Sequence, residues 1–135
     1  MSKRDPMAEN NKEIITNLYA AFARRDLSAL LQWIDPQIEI TQTTELPWGG
    51  SFQGQQGLMS FASKLLANQD SQVEMEELVE SGDRVVAIGH MRGLVRANQR
   101  EFDVRAVHVW TLNDGKAIGF EAYIDTPKML EALNG

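Results

Sequence analysis

At 135 residues the chain has the length of one domain, able to bury roughly two thirds of its unfolded surface, and it reads as a single domain over 1–135 with residues 1–5 expected to be flexible. It has no cysteine, which excludes disulfides, thiolate metal sites and a Cys nucleophile, and thirteen basic against nineteen acidic residues leave a charge of −6 that speaks against nucleic acid as a partner. The opening MSKRDPMAENNKE lacks the apolar core of a signal peptide, and no apolar run approaches the roughly 20 residues of a membrane span, so a cytoplasmic protein without membrane contact is expected.

In chain order, Asp5 before Pro6 predicts the cap of a first helix running to about Arg25, with Met7, Ile14, Leu18, Ala21 and Phe22 on one stripe. Asp26 caps a second helix, in which Leu27, Leu30, Leu31 and Ile34 keep helical spacing until Asp35-Pro36 ends it. Gln37 to Thr43 reads as a short strand, and Leu46-Pro47-Trp48-Gly49-Gly50 as a loop rich in turn formers. A third helix is predicted from Gln55 to Asn68, with Leu58, Phe61, Ala62, Leu65 and Leu66 on its apolar side. From Gln72 the period drops to two: Val73, Met75 and Val79 alternate with Glu74, Glu76 and Glu80, a half-buried strand with an acidic, solvated outer face. Ser81-Gly82-Asp83 turns into a strand over Arg84 to Val95, and Ala97 to Gln99 turns into another over Arg100 to Leu112. A last strand, Lys116 to Asp125, precedes a short helix from Thr126-Pro127 through Leu133. Strands of about twelve residues extend roughly 40 Å, too long to lie flat in so small a domain, so the sheet must curl around the early helices.

The hairpin VRAVHVWTLNDGKAIGFEAYIDT is the most informative stretch. Reading Asn113-Asp114-Gly115 as a three-residue loop pairs Leu112 with Lys116 and sets His108 opposite Phe120 and Ala106 opposite Ala122 on one face. The other face then carries Arg105, Val107, Val109, Glu121, Tyr123 and Asp125, with Arg105 diagonal to Glu121 and Asp125. This ribbon with its Tyr-x-Asp-Thr ending, together with Tyr19-Ala20-Ala21-Phe22, Arg25-Asp26-Leu27 and Phe52-x-Gly54-x-x-Gly57-Leu58, resembles the SnoaL-like, ketosteroid-isomerase-related branch of the NTF2-like superfamily. The resemblance implies an α+β cone: a curved mixed or antiparallel sheet wrapped around N-terminal helices and enclosing a pocket for small, mostly apolar molecules. It also implies a two-fold dimer through the convex face.

Carried over position by position, the resemblance puts Leu18 where a ketosteroid isomerase has its first-helix tyrosine, with Tyr19 one residue off. It puts Gln42 at the general-base aspartate and His108 at the second oxyanion-binding acid. The final-strand aspartate of polyketide cyclases falls on Ala122, and the arginine and aspartate of limonene-epoxide-hydrolase-like enzymes on Gly89 and Met91. None of the three catalytic sets is complete, because Gln42 and Ala122 cannot move a proton. His108 alone is ionisable and inward, with an ordinary pKa near ~6.5 that suits an acid, a base or a neutral donor to a ligand carbonyl.

The expected ligand pocket is therefore Leu18, Gln42, Trp48, Phe61, Met91, Ala106, His108, Trp110, Phe120 and Ala122, of about 300 Å³ or more, with Trp48 as a lid or a plug. His108 is the candidate catalytic residue. The expected dimer interface is Arg105, Val107, Val109, Glu121 and Tyr123, whose charges would pair across the two-fold axis. No cofactor is expected, and the two histidines are too far apart for a metal site. The leading expectation is a protein that binds or transforms an apolar, carbonyl-bearing metabolite. The alternatives are an isomerase, cyclase or hydrolase with His108 as acid/base and Gln42 orienting a carbonyl or water, and a non-catalytic interaction module, favoured if the cone is filled.

Overall fold

The computed structural model describes residues 10–135, so the expected Asp5 cap, Met7 and the flexible residues 1–5 lie outside the described residues. Helix α1 spans Asn11–Ala23 and is capped by Asn10, whose side chain accepts from the Glu13 N–H at 2.8 Å. Arg25 turns the chain with a left-handed backbone (φ 57°), and Asp26 caps α2, Leu27–Leu31, by accepting from the Ala29 N–H. This second helix is shorter than its spacing predicts. Ile34 already belongs to strand β1, Ile34–Gln42, and Asp35-Pro36 sits within that strand's irregular start instead of ending a helix.

A short strand β2, Gly50–Gln53, follows where the sequence reads as loop, and leads directly into α3, Gly54–Asn68. Then come β3 (Gln69–Ser81), β4 (Arg84–Val95), β5 (Glu101–Asn113), β6 (Lys116–Ile124) and α4 (Thr126–Asn134), the last capped by Asp125. The six strands form one sheet in the order β2-β1-β6-β5-β4-β3, antiparallel throughout except where β1 runs parallel to β6. The sheet curls over α1 and α3, and buried side chains of both helices and of β1, β4 and β5 make one core. Gly89 and Gly93 belong to that curl: a Cβ at either would come within 2.0 Å of a carbonyl oxygen of β3.

Two bulges set which residues face inward. In β3 the pairing slips between Met75 and Glu77, so Leu78 is half-buried and Val79 is 43% exposed, the reverse of strict alternation. In the hairpin, Asn113 pairs with Lys116, so the loop is the two residues Asp114-Gly115, both with positive φ (55° and 78°) as a type I′ turn requires. A second slip, between Thr111 and Leu112, leaves Ile118 unpaired. Turn and bulge each shift the expected pairing by one residue. Beyond the bulge the partners are therefore off by two and the faces right: Trp110 lies opposite Phe120, His108 opposite Ala122, and Ala106 opposite Ile124.

Candidate functional site

On the concave face the aligned strands set residues in rows. Ile40, Phe120, Trp110 and Val85 make one. The next row has His108 between Ala122 and Ala87, with Gln42 one step beyond the Thr41–Glu121 pair and so beside Ala122. Gln42 and His108 are thus two strand spacings apart, about 10 Å, across a methyl group. The small side chains leave a hollow, and the helices close it into a cavity of about 150 Å³.

Nine of the ten expected residues line it: Leu18, Gln42, Trp48, Phe61, Met91, His108, Trp110, Phe120 and Ala122. Ala106 does not, being buried one row further along, between Ile124 and Gly89. The volume is about half of that expected, because Trp48 is fully buried as an end plug and Phe61, Phe120 and Trp110 pack edge to face or tilted along one wall. Leu27 on α2 and Met59 on α3 line the cavity and yet are 45% and 49% exposed, which makes the gap between those helices its mouth.

Sequence reasoning missed Tyr19 as a site residue. Its hydroxyl oxygen lies 2.6 Å from His108 Nδ1 and accepts a hydrogen bond from Trp110 Nε1 at 3.0 Å. The available signal was helical: Tyr19 and Phe22 are three apart and Leu18 and Phe22 four apart, so all three share a broad face, and all three line the cavity. The Tyr19 and His108 rings stack at 5.9 Å, and Phe120 meets the imidazole edge to face at 4.9 Å. Burial pulls His108 down to about 4 and pushes the Tyr19 phenol up, against the Trp110 hydrogen bond. Both are neutral at pH 7. No other protein group among the described residues bonds the His108 ring, so its Nε2 is free for a ligand.

The outer face of the same strands carries a ladder of charge. His90 Nδ1 meets Asp103 at 2.8 Å, and its Nε2 lies 3.4 Å from Glu76 and 3.2 Å from Arg105 Nη1. Arg92 spans Glu74 and Asp103 at 3.0 and 3.3 Å. The hydrogen bond from His90 holds the Asp103 carboxyl below its usual range, with Arg92 adding to it. Within the chain Arg105 pairs with Glu76 at 3.4 Å, while Glu121 accepts from the Tyr123 hydroxyl and Asp125 caps α4. Among the described residues no cluster of three or more His, Asp or Glu side chains is placed to hold a metal ion, and no helix is long and apolar enough to cross a membrane.

The sequence profile of the SnoaL-like domain matches residues 15–120. The chain belongs to the SnoaL-like family. Its fold is NTF2-like, as in a Burkholderia pseudomallei NTF2-like protein of unknown function: 29% identity over 94% of this chain and 99% of that one, TM-score 0.86. A Burkholderia thailandensis NTF2-like protein is similar at 28% identity over 90% and 95% of the two chains, TM-score 0.83. TerC, co-crystallized with polyporic acid, is similar at 28% over 93% and 98%, TM-score 0.84. No curated protein matches the sequence.

Proposed function

We propose that this SnoaL-like protein binds a small, apolar, carbonyl-bearing metabolite in the cavity between sheet and helices, with His108 as the polar contact. One observation carries the reading: an almost wholly apolar cavity presents the unpartnered edge of a neutral imidazole, beside Ala122, which leaves it room. In this reading Gln42, the other polar group of that row, orients the same oxygen or a water. A void near 150 Å³ suits a single ring, as dry cavities of that size hold benzene. A larger ligand extends through the mouth between Leu27 and Met59. That TerC, a similar protein, was co-crystallized with polyporic acid supports a small-molecule ligand.

Binding is favoured over turnover because Leu18, Gln42 and Ala122 stand where family enzymes keep their ionisable groups, and the open cavity disfavours the filled-cone interaction module. The test is titration with acetophenone, followed through the fluorescence of Trp48 and Trp110, which line the cavity. Saturable binding is expected, weakened roughly 2- to 13-fold by His108→Ala, the worth of one hydrogen bond of about 0.5–1.5 kcal/mol. No saturation, or no effect of His108→Ala, overturns the reading.

We also propose that the convex face, with Arg105, Val107, Val109, Glu121 and Tyr123, meets a second copy of this chain, since Tyr123 is 54% exposed beside half-buried Val107 and Val109.

A further inference from the structure

We propose that Trp110 and Tyr19 are positioning residues that lock His108 in the tautomer with its proton on Nε2, so that the cavity reads a hydrogen-bond acceptor oxygen and cannot use this histidine as a general base. The proposal rests on the ligand reading above and narrows it: the ligand group is a carbonyl, or an enolate or phenolate oxygen, not an N–H or O–H that needs an acceptor.

The argument starts at the indole. A tryptophan N–H only donates, so the 3.0 Å contact from Trp110 Nε1 fixes the Tyr19 oxygen as acceptor on that side. The phenol proton must then find its own acceptor, and His108 Nδ1 at 2.6 Å is the one the structure gives it. That distance lies in the usual range for a hydroxyl donor and is shorter than the common range for a ring N–H donating to oxygen. With its Nδ1 lone pair occupied, a neutral imidazole carries its proton on Nε2, the nitrogen without a protein partner. Reversing the chain would leave the buried phenol proton without an acceptor among the described residues.

The lock is also mechanically firm. Tyr19 stacks on His108 with an interplanar angle of 19°, Phe120 abuts the imidazole at 70°, and Trp110 stands edge-on to Tyr19 at 87°, so each of the four rings is braced by a neighbour. Burial keeps both imidazole and phenol uncharged, so no proton passes along the chain near neutral pH. Donating the Nε2 proton outright while drawing the phenol proton onto Nδ1 would leave a buried tyrosinate, which this environment disfavours. His108 therefore stabilises negative charge on a ligand oxygen as a neutral donor.

The tautomer is read directly by nitrogen-15 NMR of histidine-labelled protein, with His90→Gln used to assign the two rings. The wild type should show an unprotonated Nδ1 and a protonated Nε2 for His108 across pH 6 to 8. Tyr19→Phe, which keeps the ring and removes the hydroxyl, should yield a tautomer mixture, and Trp110→Phe should move the populations in the same direction. Acetophenone and aniline then serve as single-ring probes, one offering an acceptor and the other chiefly donors. The preference for acetophenone should fall roughly fivefold or more in Tyr19→Phe, the value of about one hydrogen bond. A wild-type His108 with its proton on Nδ1, or a tautomer unchanged in Tyr19→Phe, overturns the lock. A verified lock with no preference between the probes overturns the acceptor reading alone, whereas failure of both probes to bind any variant counts against the cavity as a ligand site.

Discussion

The two histidines stand on neighbouring strands of one sheet and could hardly be treated more differently. His108 faces inward, hemmed by a phenol and a phenyl ring, and is held neutral by the loss of water. His90 faces outward between Asp103, Glu76 and Arg105, partly exposed, where solvent competes with its contacts. The contrast teaches that the side of the pleat, more than the residue type, decides the chemistry: inside, each polar contact is costly to break, and outside, most are replaceable by water.

The largest break in that contrast is expected from the inner plug. Trp48→Ala opens the end of the cavity and should destabilise the fold by about 3–5 kcal/mol, read from urea unfolding. A loss below about 1 kcal/mol would mean that the Thr43–Gly49 loop collapses into the space.

Next comes acid. Below pH 6.5 the unfolded His108 takes up a proton that the folded one refuses until about pH 4, so the unfolded state gains protons and stability falls as pH falls through that window. The contribution is on the order of 3 kcal/mol. Unfolding curves at pH 7, 5.5 and 4.5 should show this decline, and His108→Asn should flatten it. A variant with the wild-type slope would place the responsible group elsewhere.

Tyr19→Phe is a smaller disturbance. It strands the Trp110 N–H and the His108 Nδ1, and should cost about 2 kcal/mol with the fold intact. A neutral substitution would show that water replaces the hydroxyl.

The outer face should give least. Arg105→Glu loses exposed contacts to Glu76 and His90 and should change the unfolding free energy of a single chain by less than about 1 kcal/mol. Its effect should instead be on assembly, with sedimentation moving from dimer towards monomer. A wild type that is already monomeric at micromolar concentration refutes the proposed interface.

How much of this was legible differs by element. Strand β4 was legible to the residue because a dense apolar run is bounded by a turn at each end. The end of α3, the Asp26 cap and the SnoaL-like membership were legible for similar reasons: local chemistry or a run of local motifs carried them. Strand β2 was not, since four residues of Gly-Ser-Phe-Gln carry no period and pair only because β1 lies beside them. Nor was the start of β1, where pairing to β6 prevails over a local Asp-Pro helix stop.

By itself the sequence determined the faces of the hairpin strands around His108, and so that His108, Trp110, Phe120 and Ala122 look inward, because a period of two survives any even error of register. It determined the family in the same local way. Only the tertiary structure decided which atoms meet: the bulge at Ile118, the closing of the cavity to about 150 Å³, and the contact of Tyr19 with His108, 89 residues apart in the chain. Those depend on how a helix settles on a curled sheet. That packing is fixed by the sum of many side-chain volumes and by the satisfaction of buried polar groups, neither of which any one segment encodes.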